Sequence, residues 1–465
     1  MQKRWVLSIA IVTTLSGLYV AGGSAAPRLR PVQDVDQQLD QVVERAKAVG
    51  VRSQARPRLA NFRLVGHSNL DGFADYGDVY AHGRFAYVGS RCGEANRGGD
   101  GVQIVDISTP RDPQVVSKLP NPRYTRAEDV TVLDVRTPAF SGALAVVGIQ
   151  ACFETGHESE VVPGVRFFDV THPAHPRLLG RWNLPRGTVG CHEIDAVQRP
   201  GGTVLAGCAR NLIDHFTSFE NGDTEGLGVY LVNATNPRTP RTVAHWYKRV
   251  DPFGGTGCLP VKFAHSLRFE NGGRSVYVSY WDAGTVRLNL SDPTSPAVVS
   301  DTKIVPPDED GDNHSMTLAA GGRWLVINPE DFSPGDCPGD SDTGGWGEAY
   351  VYDNSDPSSP TFLGTFSTPN SRAAGNGDRG AFTVHDTEVT RRNQFFSSWY
   401  SDGIVWWTMN GEGASRLRGS FVPPSRNGVP PLVWGVYLDS RHNLILGSDI
   451  TTGLWIVRPE GLRDL

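Results

Sequence analysis

The sequence predicts an all-β fold, a seven-bladed β-propeller that closes by pairing its N-terminal and C-terminal strands. Two observations predict it: a strand unit ending in an Asp/Asn and Pro segment recurs along the chain, and an unpaired strand at its beginning matches a strand missing from the last unit. The composition agrees, because 53 Gly and 32 Pro among 465 residues favour many turns and little helix. We therefore expect one closed repeat domain over residues 59–465.

The repeated unit has alternating apolar residues typical of a half-buried strand, followed by Pro, which donates no ladder hydrogen bond and ends the strand. A further strand follows each Pro pair, so the unit has the four strands of a propeller blade. Clear copies are GVQIVDISTPRDP (101–113), GVRFFDVTHPAHP (164–176), GVYLVNATNPRTP (228–240), TVRLNLSDPTSP (285–296) and EAYVYDNSDPSSP (348–360). Degenerate copies are GIVWWTMNGEGAS (403–415) and GLWIVRPEGL (453–462).

The last unit stops at Leu462 after three strands, and too few residues follow it for a fourth. The segment 61–66 has the composition of the strands after Pro elsewhere but belongs to no blade of its own. Pairing it with the last unit would remove the exposed edges of an open ring. This closure predicts seven blades.

The N-terminus is typical of a secretory signal peptide over residues 1–26, with Lys3 and Arg4 before an apolar run and small residues after it. An uncleaved anchor is the alternative, and no other segment is long and apolar enough to span a bilayer. Residues 27–58 are expected to form a linker with a short amphipathic helix, whose apolar positions recur at helical spacing from Val32 to Ala46. We expect a secreted or cell-surface monomer.

Charge and cysteine content narrow the function further. A net charge of −6 with scattered Lys and Arg excludes a nucleic-acid partner. The six Cys fit an oxidising compartment, although six Cys allow 15 pairings. Cys191 faces Cys208 across a predicted hairpin, and Cys92 and Cys152 occupy equivalent loops of neighbouring blades. The predicted disulfides are Cys92–Cys152, Cys191–Cys208 and Cys258–Cys337.

Alignment of the first strand of every blade gives one column of equivalent positions. With 12 His in 465 residues, such a column would contain about 0.2 His by chance. The innermost strand of a blade lines the central channel, so side chains in this column are expected to converge. The column contains Gly77, Glu128, His192, His265, His314, His385 and Trp434.

The four imidazoles predict a metal site, since nitrogen ligands without thiolate favour Cu or Fe. Carboxylates accompany them: Glu128 is in the column, and Glu193 and Asp386 directly follow His192 and His385. These carboxylates are candidates for orienting the metal-bound imidazoles or for general-base catalysis. Alternatively, the histidines are inherited residues that bond to backbone carbonyls or water, or they line a site for an organic ligand.

Four long loops are expected around the same mouth, at about 91–100, 151–163, 210–226 and 331–347. Calcium is a second candidate cofactor, because the segments 308–313 and 331–342 are acidic and contain Gly, although neither has a complete EF-hand pattern. His157 and the pair Asp214 and His215 lie in long loops and are weaker candidates for the pocket.

The strand–Asp–Ser–Pro unit, clearest at residues 101–110 and 288–293, resembles the LVIVD-repeat propellers. A second segment, SVYVSYWDAGTVRLNLSDP (275–293), is similar to one blade of the selenium-binding proteins, or methanethiol oxidases. This resemblance implies a seven-bladed fold, copper held by His and the oxidation of a small thiol by oxygen. Carotenoid oxygenases offer an architectural parallel, with iron held by four His from propeller blades.

Two functions therefore remain open after the sequence. One is a Cu- or Fe-dependent oxidoreductase that acts on a small molecule through His192, His265, His314 and His385. The other is a non-enzymatic extracellular propeller that binds a protein or glycan, with structural histidines. Metal content separates the two.

Overall fold

The computed structural model describes residues 35–49, 56–72, 75–93, 98–152, 157, 160–185, 188, 190–210, 227–250, 262–304, 311–332, 346–373, 377–463 and 465. The chain divides into residues 1–32 and a compact unit of residues 33–465, and every described residue belongs to the second unit. The predicted signal peptide, Cys258 and Cys337 lie outside the described residues.

Seven antiparallel sheets stand in a ring and form a seven-bladed β-propeller, so the predicted fold class is confirmed. Blade 1 consists of β3 (Tyr76–His82), β4 (Phe85–Ser90), β5 (Val102–Asp106) and β6 (Gln114–Leu119). Blade 2 consists of β7 (Thr125–Arg126), β8 (Val130–Arg136), β9 (Ser141–Ala151), β10 (Gly164–Asp169) and β11 (Arg177–Asn183). Blade 3 consists of β12 (Glu193–Gln198), β13 (Val204–Ala209), β14 (Val229–Asn233) and β15 (Arg241–Trp246).

The remaining blades repeat the same order of strands. Blade 4 consists of β16 (Ser266–Glu270), β17 (Ser275–Ser279), β18 (Thr285–Asn289) and β19 (Ala297–Thr302). Blade 5 consists of β20 (Asn313–Ala319), β21 (Trp324–Pro329), β22 (Ala349–Asp353) and β23 (Thr361–Phe366). Blade 6 consists of β1 (Arg58–Ala60), β24 (Thr387–Val389), β25 (Gln394–Ser398), β26 (Ile404–Met409) and β27 (Ser415–Val422). Blade 7 consists of β2 (Phe62–Ser68), β28 (Val433–Asp439), β29 (Leu444–Asp449) and β30 (Gly453–Pro459).

The recurring Asp or Asn residue ends the third strand of a blade through a local hydrogen bond. Asp106 Oδ1 accepts from the backbone N–H of Ser108 at 2.8 Å, and Asp353 Oδ1 accepts from that of Ser355 at 2.9 Å. The same bond recurs at Asp169, Asn233 and Asn289. This Asx turn competes with the strand ladder and redirects the chain toward the fourth strand.

The ring closes as predicted. Strand β2 pairs with β30 in blade 7, with Phe62 opposite Pro459 and Ser68 opposite Leu454. The short strand β1, which carries no strand pattern in the sequence, also adds a fifth strand to blade 6 by pairing with β27. Two neighbouring blades are thus fastened by one N-terminal segment.

The hydrophobic core lies between neighbouring blades. Ile104 of blade 1 packs in one cluster with Val132 and Ala145 of blade 2. Helix α1 (Val35–Val49) lies in the segment for which the sequence predicts an amphipathic helix, and short 3-10 turns span Leu70–Gly72, Asn271–Gly273 and Ala320–Gly322. None of the described helices has the length and apolar character needed to cross a membrane.

The predicted disulfides Cys92–Cys152 and Cys191–Cys208 are both present. Cys92–Cys152 links blade 1 to blade 2, and Cys191–Cys208 crosses the first hairpin of blade 3. The second bond fixes the chain one residue before His192. Disulfides of this kind are typical of an oxidising, extracytoplasmic compartment.

Candidate metal centre

The four predicted histidines lie side by side at the inner ends of blades 3 to 6, and we call them the histidine arc. Successive ring centroids, from His192 through His265 and His314 to His385, are 4.4, 4.3 and 3.8 Å apart. All four side chains are buried, with exposed fractions of 4% or less. The structure therefore brings the four predicted ligands into one cluster of contacting rings.

Local irregularities of the first strands lie at the column positions of blades 1, 5 and 7. In blade 5, His314 lies at a register shift, because Asn313 faces Pro329 while Ser315 faces Asn328. Register shifts also occur in blade 7 around Trp434 and in blade 1 between Tyr76 and Val79. An extra residue in one strand re-aims its side chain, so the bulges place column residues that strict alternation would direct elsewhere.

The Nε2 atoms of His192 and His265 lie 3.0 Å apart. Two neighbouring nitrogen ligands, each about 2.0–2.1 Å from one metal ion, lie about 3 Å apart. A hydrogen bond from a protonated to a bare Nε2 has a similar length. The pair can thus share either a metal ion or a proton.

Glu330, which the sequence reasoning missed, completes a second group of ligands. It directly follows β21, and its carboxylate oxygens lie 3.9 Å from His314 Nε2 and 3.7 Å from His385 Nε2. His265, His314 and Glu330 each offer one ligand atom, and these atoms lie within 4.8 Å of one another. Tyr400 Oη donates a hydrogen bond to Glu330. The pairing register of the β20–β21 hairpin would have predicted Glu330, because Asn313, just before His314, pairs with Pro329, just before Glu330.

The outer nitrogens of three histidines are held by neighbouring oxygens. His385 Nδ1 is 2.9 Å from Asp386 Oδ2, His314 Nδ1 is 3.1 Å from the backbone oxygen of His385, and His192 Nδ1 is 3.0 Å from Gln150 Oε1. A metal-bound imidazole usually has such a partner on its other nitrogen. Asp386 therefore occupies the position predicted for an orienting carboxylate.

Several ring nitrogens of the arc have no hydrogen-bond partner in the described part of the chain. They are His314 Nε2, His385 Nε2 and His265 Nδ1. Burial, and then the nearby His314 and His192, hold the pKa of His265 well below its usual range. Burial, and then His385, likewise lower the pKa of His314. Neutral imidazoles with available lone pairs are the form that binds metal, so these residues fit a metal ion.

Glu128 is engaged by a buried arginine that the sequence reasoning did not identify. Arg126 Nε lies 3.0 Å from Glu128 Oε2 and 2.7 Å from Gln150 Oε1, and the same Glu128 oxygen is 3.7 Å from His192 Nδ1. Glu128 thus balances a buried cation beside the arc. Removing it would leave the guanidinium charge poorly compensated in the channel.

Comparison with known proteins places the repeat in a family. Residues 75–119 match the LVIVD repeat. The chain is a seven-bladed propeller that carries an LVIVD repeat. It is similar to the β-propeller domain of Cps50 (Swd1) from Myceliophteria thermophila, with a TM-score of 0.50 and 12% identity over 87% of this chain and 99% of that domain. This likeness concerns the fold alone.

No curated protein matches this chain. The similarity of residues 275–293 to selenium-binding proteins therefore stays a prediction. Function has to be inferred from the chemistry of the site itself.

A layer of carboxylates lies next to the arc in the propeller channel. Asp78, Asp129 and Glu193 offer oxygens within 4.8 Å of one another. Burial raises the pKa of Asp129 to about 7, although the backbone N–H of Ile194 donates to it at 2.6 Å. Burial, and then Asp129 and Asp78, raise the pKa of Glu193 well above its usual range. Glu193 thus belongs to this acidic layer, whereas Asp386 bonds to the arc directly.

Helix α1 of the propeller packs on the aromatic side of the arc. The His385 ring centroid lies 4.4 Å from that of Trp434 and 5.6 Å from that of Tyr400. Both aromatic residues belong to one buried cluster with Leu39 and Val42 of α1. The helix therefore covers the aromatic residues next to His385.

Several predicted features cannot be placed. The pair Asp214 and His215 falls outside the described residues, as do residues 211–226 and 333–345, which make up most of two of the long loops. Half of the acidic segment 308–313 and most of the segment 331–342 also fall outside them. His157 is described, and it stacks on Tyr124 with ring centroids 4.1 Å apart and bonds to Glu160 at 3.1 Å.

Proposed function

We propose that this LVIVD-repeat propeller is an exported protein that binds a transition-metal ion at the histidine arc and acts as an oxidoreductase on a small molecule. One observation carries the proposal: buried imidazole nitrogens of His314 and His385 that lack hydrogen-bond partners in the described chain lie next to the Glu330 carboxylate, and His265 offers a ligand atom to the same group. A nitrogen-rich set without thiolate favours Cu or Fe. The two disulfides support an extracytoplasmic location.

In this proposal each residue has a defined task. His265, His314 and Glu330 are the proposed ligand set, His192 adds a nitrogen beside His265, and His385 contributes from the other end of the arc. Asp386 and Gln150 hold the outer nitrogens and fix the ring orientations. A bound Cu or Fe ion would supply one-electron chemistry toward a small substrate.

Metal content tests the proposal. Protein purified without a His-tag, before and after reconstitution with Cu, Fe or Zn salts, is analysed for metal. We expect about one equivalent of Cu or Fe in the wild type and less than about a tenth in the double variant His265→Ala and His314→Ala. His442→Ala is the matched control, because His442 is partly exposed, bonds to Asp439 and follows the end of β28 opposite to Trp434.

Catalysis needs its own measurement. The reconstituted protein is incubated with small thiols, the substrate class implied by the resemblance to selenium-binding proteins, and oxygen consumption is followed. Consumption that requires the metal and disappears in the double variant supports the oxidoreductase. A wild type that binds less than about a tenth of an equivalent after reconstitution refutes the metal centre itself.

The second candidate function is a non-enzymatic binding propeller with structural histidines. It is favoured by the local hydrogen bonds of the arc, because the backbone oxygen of His385 accepts from Ser315 Oγ at 2.6 Å and meets His314 Nδ1 at 3.1 Å. In that case the double variant should lower the melting temperature without changing the metal content. The metal analysis and a melting curve on the same samples distinguish the two functions.

A further inference from the structure

A cleft of about 570 Å³, lined by both polar and apolar residues, lies between blades 4, 5 and 6 of the propeller. Strand β16 begins directly after His265 and ends at Glu270, which lines this cleft. The cleft therefore opens at the opposite end of the strand from the histidine arc. Its volume is in the range of small-molecule sites in proteins.

Comparison of the seven blades shows that Arg287 is a charged residue at a position where the other blades carry apolar residues. In all seven blades, the pairing between the third and fourth strands has a register shift at the same position of the third strand. Arg287 occupies the position just before the shift in blade 4 and lines the cleft. The equivalent residues are buried and apolar: Ile104, Phe167, Leu231, Val351, Trp406 and Ile456.

Asn354 departs from the pattern in the same place. It follows the third strand of blade 5 and is only 2% exposed, and its Nδ2 donates to the Gly322 oxygen at 2.8 Å and to Tyr277 Oη at 3.2 Å. The corresponding residues of five other blades are buried and apolar: Ile107, Val170, Ala234, Leu290 and Met409. A polar residue has therefore replaced an apolar one on both sides of the cleft.

Ser275 supplies a hydroxyl group that the fold itself does not use. Its side chain lines the cleft and is 3% exposed, yet Oγ has no hydrogen-bond partner in the described chain. Second-strand residues at the equivalent register are Leu144, Leu205 and Leu444 in blades 2, 3 and 7, and Phe85, Trp324 and Gln394 in blades 1, 5 and 6. In the cleft, Arg287 Nε is also buried without a hydrogen-bond partner in the described chain. Buried donors without acceptors are costly, which is a reason to expect that a ligand satisfies them.

The charges of the cleft indicate what kind of ligand fits. Arg287 and the exposed Arg391 are cationic, and Glu270 is the acidic residue among the cleft-lining side chains. A guanidinium binds a planar carboxylate through paired hydrogen bonds. Serine, asparagine and glutamate side chains together accept from and donate to hydroxyl groups. The set matches a small molecule with one carboxylate and several hydroxyls.

We propose that the cleft binds a small hydroxylated carboxylic acid of the sugar-acid class, with Arg287 on the carboxylate and Ser275, Asn354 and Glu270 on the hydroxyls. This site is separate from the histidine arc and does not depend on a metal. Its ligand would complete an interface between blades that the other repeats fill with apolar side chains.

Isothermal titration calorimetry of the metal-free protein tests the proposal with D-glucuronate, D-glucose and inorganic phosphate. We expect glucuronate to bind and glucose, which lacks the carboxylate, to bind at least about 10-fold more weakly. Arg287→Leu should weaken glucuronate binding by about 10- to 100-fold. Arg416→Leu, which removes an exposed arginine of β27, should leave binding unchanged.

Melting curves show whether the variants fold. Other blades carry apolar side chains at the position of Arg287, so Arg287→Leu is expected to melt cooperatively at or above the wild-type temperature. Should Arg287→Leu fail to fold, Ser275→Ala gives a smaller change of shape and should still weaken glucuronate. The proposal is overturned if glucuronate does not bind at millimolar concentration, if it binds Arg287→Leu as well as wild type, or if glucose or phosphate binds equally well.

Discussion

The packing of helix α1 on the propeller leads to the most direct structural prediction. Leu39 is 2% exposed and Val42 is fully buried, and both pack in one cluster with Tyr400 and Trp434. The helix belongs to none of the seven sheets. Val42→Asp should therefore detach α1 while the blades stay folded.

The magnitude follows from burial. Burying the valine side chain contributes roughly 1.5–3 kcal/mol, and placing an unpaired carboxylate in the same apolar cluster costs several kcal/mol more. The total, at least about 5 kcal/mol, is comparable to the whole gain from burying Leu39, Val42 and Ala46, roughly 4–7 kcal/mol before the cost of ordering the helix. The detached state is therefore expected to be the more stable one in the variant.

Hydrogen exchange followed by mass spectrometry measures this change. In Val42→Asp, peptides covering residues 35–49 should exchange as fast as an unfolded peptide, while peptides from β25 and β29 keep their wild-type protection. Glu44→Gln is the control on the same helix, because Glu44 is exposed and only pairs with Lys47 at 2.7 Å. Unchanged protection of residues 35–49 in Val42→Asp would refute the docking argument, and loss of protection in the strands would show that the helix is needed for the blades.

Three further predictions concern the ring closure, the channel and the candidate metal ligands. A Cβ at Gly66 would lie 1.8 Å from the Pro110 oxygen, so Gly66→Ala should destabilise the protein by roughly 1–3 kcal/mol in denaturant unfolding, whereas Gly411→Ala, where the space is open, should be neutral. Burial raises the pKa of Asp195 to about 6, so the folded state holds a proton that the unfolded state loses near pH 4. The stability from this carboxyl is present below about pH 4 and is lost as the pH rises through about 6, by about 3 kcal/mol in total. The free energies of unfolding of the wild type and of Asp195→Asn are compared between pH 4 and 7, and a constant difference between them would contradict this prediction. Glu330→Gln should weaken metal binding by about 10- to 100-fold in equilibrium dialysis, and unchanged affinity would remove Glu330 from the ligand set.

The fold could be predicted because the same pattern of strands and turns recurs in each blade of the sequence. The Asx and Pro segments mark the end of each third strand, and the count of strands predicts the closure of β2 on β30. Strand β1 was missed because its three residues are all exposed and carry no alternation of apolar and polar residues. Its place is decided by pairing with β27, which is a tertiary contact.

The candidate site could be predicted only in part, for a related reason. The histidines occupy one position of the repeat, so aligning the blades brings them together. Glu330, Arg126 and Gln150 come from other positions, and each reaches the arc from the end of a different strand. The bulge at His314 helps to set how that ring meets Glu330, and a bulge changes the register without leaving a pattern in the sequence.

The repeat also offers a physical criterion for function within a single chain. Each position of the blade is sampled in several nearly equivalent environments, so the apolar residues found in most blades show what packing alone requires. Arg287 and Asn354 both depart from that requirement. Arg287 Nε has no hydrogen-bond partner in the described chain, and such a buried polar group costs roughly 1–3 kcal/mol. Because the neighbours of Arg287 form an open cleft instead of closing around it, a bound ligand accounts for its presence better than stability does. Arg287→Leu should therefore raise stability and remove binding together, which is a trade-off that a purely structural role would not produce.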